Sequence, residues 1–147
     1  MAHFEIRIDS PLSAPRAWAK ILDLRAHSVV IPLTTVTGDT LDAAGLTPGS
    51  RFNARTGLGP LGFDDPMVID EVEQPSETAR GYARIRKEGS LVRGDIELTV
   101  TPAAHGSVVV WSQRIDVRYV PAFADPVTAL VGRAAYGTTV KKLLARA

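Results

Sequence analysis

The sequence predicts an α+β fold: an antiparallel sheet of seven strands, two short helices after the first strand, and one long C-terminal helix over the sheet. Three observations predict it. HFEIRID near the N-terminus alternates polar and apolar residues strictly, the pattern of a half-buried strand. From Thr34 to about Val120 the chain reads as short alternating runs divided by glycine- and proline-bearing turns. The tail from Ala124 onward has the period and the end signals of a single helix.

In order along the chain, the opening strand places Phe4, Ile6 and Ile8 on one face and His3, Glu5 and Arg7 on the other. Ser10-Pro11 ends it. Ser13 can cap the helix that follows, with Pro15 tolerated in its first turn. Trp18, Ile21 and Leu22 recur at i, i+3 and i+4, one apolar stripe on a short helix. RAHSVVIP is a second short helix or turn, stopped before Pro32 because the residue preceding a proline disfavours the helical region. TTVTGDT, GSRFNARTG, PMVIDEVEQP, TARGYARIRKEG, LVRGDIELTVTP and SVVVWSQRIDVRYV supply six further strands. Short turns between them make an antiparallel meander, not alternating βαβ units.

In the last helix Asp125 is expected as the N-cap and Pro126 at the first helical position. Lys141, Lys142 and Arg146 suit its C-terminal end. Its apolar face is expected to run from Leu130, Val131 and Ala134 to Val140, Leu143 and Leu144. Gly132 and Gly137 each weaken its intrinsic helicity by about 1 kcal/mol, so packing must hold it in place. A sheet of this kind has one apolar face, and this helix is the only element able to cover it.

With 147 residues, 45% hydrophobic and 22% charged, the chain is composed for one globular domain spanning residues 1–147. Its formal net charge is +1, with 17 basic and 16 acidic residues interleaved, so nothing points to nucleic acid as a partner. The absence of cysteine excludes disulfides, thiolate ligands and a cysteine nucleophile. No run approaches the roughly 18 apolar residues of a membrane span, and the N-terminus lacks a signal peptide's apolar run. A cytoplasmic protein without integral membrane association is the expectation. His3, His27 and His105 are scattered, and there is no HExxH, G-x-S-x-G or dinucleotide glycine motif. Neither metal nor cofactor is expected. GLGPLG at 57–62 lacks the Lys-Ser/Thr of a phosphate loop and reads as a flexible loop.

FEIRIDSPLSAPRAWAKILDL, Pro32, PGSRF, MVIDEVEQP and VVVWSQRIDV follow one another in an order and spacing that resemble the START-like helix-grip (SRPBCC) superfamily. The closest resemblance is to its polyketide cyclase/dehydrase and lipid transport branch. It covers essentially the whole chain; ARTGLGPLGFDDPM looks like a feature of a narrower subgroup. The resemblance implies a sheet curved around the long helix, short helices closing one end, and an internal cavity between sheet and helix.

Candidate site residues follow from side-chain parity in that frame. Val109, Trp111, Gln113, Ile115 and Val117 share the more apolar face of the last strand, so Trp111 and Gln113 are expected in the cavity, where Gln113 needs a partner. A core role is the alternative for Trp111. Trp18 is expected in the core or the lid. Arg55 and Asp65 flank the 57–62 segment and are expected to meet there. They would brace a mobile 57–65 loop at the cavity entrance, or Arg55 would receive an anionic or carbonyl group. Asp64 and Asp65 point to opposite faces and make a poor proton-sharing pair. His27 is a capping residue or the one histidine placed for acid/base work. Ala83 and Ile85 should face inward, leaving Arg80, Tyr82, Arg84 and Arg86 as an outer stripe salt-bridged to Asp95 and Glu97.

The candidate ligand-binding set is therefore Phe52, Arg55, Met67, Trp111, Gln113, Tyr136 and His27. The expected function is binding or carriage of a small hydrophobic, lipid- or polyketide-like molecule. An enzyme of the cyclase/aromatase or dehydratase kind is the alternative, and a protein-interaction module with an open sheet face is the third. Catalysis and oligomeric state stay open at this point.

Overall fold

Alternation in the opening strand becomes burial: Ala2, Phe4 and Ile6 are buried while His3, Glu5 and Arg7 are exposed. The computed structural model describes residues 1–146, and Ala147 lies outside the described residues. The chain runs β1 (Ala2–Ser10), α1 (Ala14–Ile21), α2 (Leu24–Val30), β2 (Thr34–Gly38), β3 (Arg51–Leu58), β4 (Leu61–Glu73), β5 (Gly81–Glu88), β6 (Val92–Ala103), β7 (Gly106–Val117) and α3 (Asp125–Ala145). The strands form one sheet in the order β1-β7-β6-β5-β4-β3-β2, antiparallel throughout. This is the helix-grip arrangement that the sequence predicts.

Local chemistry sets the ends of the short helices. The Ser13 hydroxyl accepts from the Arg16 amide at 3.4 Å, and the Asp23 carboxylate accepts from the Ala26 amide at 3.2 Å. The stripe of α1 buries Ala14, Ala17, Trp18 and Ile21. Trp18, 1% exposed, is a core residue. Its ring lies over Gly81, where a Cβ would come within 2.8 Å of it.

Two expectations about the backbone need correction. The segment 57–65 is not a loop. Leu58 pairs with Leu61, and only Gly59 and Pro60 turn the corner between β3 and β4. Gly59, at φ +56°, supplies the positive dihedral that a two-residue hairpin turn requires at its first position. The glycines read as flexibility are instead turn and ladder residues.

The seated face of α3 also differs from the expected one. Leu130 and Val131 are 69% and 61% exposed, and Ala134 is exposed too. Gly132 and Gly137 are buried in their place, while Val140 and Leu143 are buried as expected. The reason is a close approach: a Cβ on Gly132 would lie 2.7 Å from Phe4 Cε1. Only a glycine lets the helix come down on β1 there. The cap differs as well, because Ala124 precedes the helix without a side-chain cap bond. The Asp125 carboxylate instead accepts from the Met1 ammonium at 3.0 Å. The main seats of α3 are β1, α1 and α2.

Candidate functional site

Because α3 is seated on β1 and the short helices, space remains between it and the inward faces of the other strands. That space is a hollow of ≈ 260 Å³. Strand register fills its wall in cross-strand pairs: Phe52 lies opposite Met67, Ala54 opposite Asp65, and Thr56 opposite Phe63. Ile85, Lys87, Ile96 and Trp111 continue the wall across β5, β6 and β7. Leu22, Leu24, His27 and Ile31 close it from the short helices, and Ala135, Tyr136, Thr139 and Val140 from α3. Most of this surface is hydrocarbon or aromatic ring.

Tyr136 is the centre of an aromatic group. Its ring centroid lies 5.6 Å from that of Phe4 and 5.7 Å from that of Trp111, tilted in both cases. The Lys87 ammonium is 5.8 Å from the same centroid. Lys87 donates to Asp65 Oδ2 and lies 3.7 Å from Met67 Sδ. Its side chain is 1% exposed and that of Asp65 12%. Burial pushes the lysine's pKa down, but the Tyr136 oxygen and the Asp65 carboxylate beside it hold it above the ordinary lysine range. An ion pair is thus set into an otherwise apolar wall.

Of the seven candidates, Phe52, Met67, Trp111, Tyr136 and His27 border the hollow. Gln113 and Arg55 do not. Gln113, 0% exposed, lies behind Trp111, and its Oε1 accepts from the indole Nε1–H at 3.0 Å. The tryptophan is thus the partner of the amide oxygen, and the glutamine holds that ring in place, while the amide Nε2 is buried without a partner. Arg55 points outward and donates to Asp64 at 3.3 Å and to the Gly59 carbonyl at 3.3 Å. The register explains this, since Arg55 pairs with Asp64 and Ala54 with Asp65. The Asn53 amide and then Arg55 hold Asp64 below the usual carboxylate range.

His27 donates from Nε2 to the Ile21 carbonyl at 2.7 Å, closing the end of α1. Burial holds its pKa below the ordinary value, against the Ile21 carbonyl and Asp23, which favour the charged ring. A neutral ring with one nitrogen committed to a carbonyl is a capping group. On the outer stripe of β5, Arg84 bonds Asp95 at 3.0 Å as expected, whereas Arg86 turns to Asp70 on β4 at 3.1 Å.

The ion pair is what the sequence reading missed. Lys87 continues the inward parity of Ala83 and Ile85, and Asp65 that of Met67. A lysine two residues past Ile85 on an apolar face is the signal that could have found it. Among the described residues, no three His, Asp or Glu side chains gather as a metal site would require. No helix there is long and apolar enough to cross a membrane. Of the sheet face that an interaction module would leave open, α3 packs against β1.

Comparison with known proteins places this geometry in a family. The model for polyketide cyclase/dehydrase and lipid transport proteins matches residues 1–147. The chain belongs to that family. Solved structures share the cyclase/dehydrase-family fold at low identity. Ara h 8.0201 matches with a TM-score of 0.64 at 12% identity, covering 98% of each chain. TTHA0849 from Thermus thermophilus matches with a TM-score of 0.67 at 14% identity, covering 97% of this chain and 94% of that one. A norcoclaurine synthase point mutant from Thalictrum, in complex with a transition-state analogue, matches with a TM-score of 0.64 at 15% identity over 97% and 92%. At these identities the likeness is one of fold. Among curated proteins, none matches the chain.

Proposed function

We propose that the protein binds or carries a small, mainly apolar molecule in the hollow between sheet and α3. The observation that carries this reading is the lining: Phe52, Met67, Ile85, Ile96, Trp111 and Tyr136 around a space no side chain fills. Each 100 Å² of apolar guest surface withdrawn from water contributes roughly 2.5 kcal/mol. Shape and apolar contact then supply most of the affinity. The polar anchor is the Lys87–Asp65 pair, since Arg55 lies outside the wall. Membership of a family named for polyketide cyclases and lipid transport agrees with such a guest.

Native mass spectrometry of protein purified from its own source tests the proposal. A small molecule that co-purifies and is lost on organic extraction supports it. A bare mass under conditions that preserve the fold, with no neutral apolar probe binding afterwards, overturns it. Catalysis of the cyclase or dehydratase kind is a second reading, favoured by a charged lysine in the wall that would polarise a carbonyl. Chemical conversion of the recovered molecule by the protein, abolished in Lys87→Met, distinguishes it from carriage.

A further inference from the structure

The polar end of the hollow has hydrogen-bonding capacity that its own residues leave unused. An ammonium carries three N–H donors. Lys87 directs one to Asp65 Oδ2 and one to the weak acceptor Met67 Sδ, and the third lies beside the Tyr136 oxygen at the edge of the hollow. A carboxylate accepts at both oxygens, and Asp65 Oδ1 is buried with no partner. Both residues border the hollow, and apart from the Tyr136 hydroxyl the wall around them is apolar or already bonded. A buried group in this state rewards a guest that completes it.

Resting on the reading that the hollow takes an apolar guest, we infer that this guest is a neutral molecule ending in a hydroxyl group, phenolic or aliphatic, placed on Lys87 and Asp65. Among uncharged single-oxygen head groups, only a hydroxyl both donates and accepts from that atom. Its oxygen accepts from the Lys87 ammonium, and its O–H donates to the Asp65 carboxylate. The other head groups each leave something unmade. A hydrocarbon makes neither bond. A carbonyl or an ether takes the lysine proton but gives nothing to Asp65. A carboxylate sets a second negative charge beside Asp65 where Lys87 is the only cation in the wall. The Tyr136 ring beside the ammonium, and the Trp111 ring 5.7 Å from it, suit a flat body behind the hydroxyl.

Isothermal titration calorimetry of the full chain at neutral pH, with four probes sharing one two-ring body, tests the inference. The probes are naphthalene, 2-naphthol, 2-methoxynaphthalene and 2-naphthoate. The expected result is 2-naphthol binding at least about tenfold tighter than each of the others, the factor for hydrogen bonds to charged groups. In Lys87→Met/Asp65→Asn that advantage disappears while naphthalene still binds. The methoxy probe needs no variant, since it accepts but cannot donate. A tie between it and 2-naphthol overturns the inference, as does tightest binding of the naphthoate or persistence of the advantage in the double variant. These outcomes leave the apolar-guest reading standing. Failure of all four probes removes that reading and the inference together.

Discussion

Lys87→Met removes the ammonium from the buried pair, and the size of the loss follows from how dry the pair is. Only 1% of the Lys87 side chain and 12% of the Asp65 side chain are exposed. The stranded carboxylate would have no cation in the wall, and its Oδ1 already has no partner. Removing one member of a buried pair costs about 3–5 kcal/mol, whereas replacing both with neutral residues of similar volume is often neutral or stabilising. The expected loss for Lys87→Met is therefore about 3 kcal/mol or more, a large share of the roughly 5–15 kcal/mol that a domain possesses. Asp65→Asn strands the ammonium and should also cost about 3 kcal/mol, while Lys87→Met/Asp65→Asn should lose less than about 1 kcal/mol, giving a coupling of about 5 kcal/mol in the double-mutant cycle. Urea unfolding at pH 7, followed by tryptophan fluorescence and circular dichroism with equal slopes, measures both. A Lys87→Met midpoint indistinguishable from wild type would refute the reasoning, because the ammonium would then be solvated and the wall wet. The pair has a pH signature too. A lysine held above its ordinary value stabilises the fold fully below about pH 10.4, and that contribution is lost as pH rises through the raised value. The double variant should lack this alkaline loss.

Gly132→Ala should destabilise the protein despite better helix propensity. Its Cβ would meet the buried Phe4 ring at 2.7 Å, and such overpacking costs about 1–3 kcal/mol, read as a lower urea midpoint. His27, held below its ordinary value by burial, gives stability that is complete above about pH 6.5 and falls by up to about 1.4 kcal/mol per pH unit below it. In His27→Gln that acid-side slope should shrink, and an unchanged slope would show that the ring is not buried neutral. Arg55→Ala should leave the affinity for 2-naphthol unchanged, because Arg55 bonds Asp64 and Gly59 on the outer face. A loss measured by calorimetry would place it at the guest after all.

Period-2 parity makes the fold and most of the wall readable in advance. Phe52, Met67 and Trp111 face inward because their strands alternate cleanly and the register carries that alternation from strand to strand. The buried pair escapes because a lysine is expected in water unless a partner is visible, although the inward set on β5 extends one step beyond Ile85 to Lys87. That partner, Asp65, pairs with Arg55 if 57–65 is a loop. A hairpin that continues to Leu58 and Leu61 changes the pairing. The helix is harder, because α3 has apolar residues on more than one side. Leu130 and Val131 suggest one face, and Gly132 selects another by allowing contact with Phe4. Close approach is a property of two surfaces at once, and a single segment does not display it.

Xenon tests the central claim most directly, because it is apolar, has no head group and enters dry cavities of sufficient size. A crystal of the protein held under xenon pressure should show a bound atom among Phe52, Met67, Trp111 and Tyr136, below α3. Ala54→Phe, which projects a ring into the same space from β3, should abolish that site and the binding of 2-naphthol without altering the fold. Xenon absent from the hollow, with side chains packed across it, would contradict the account.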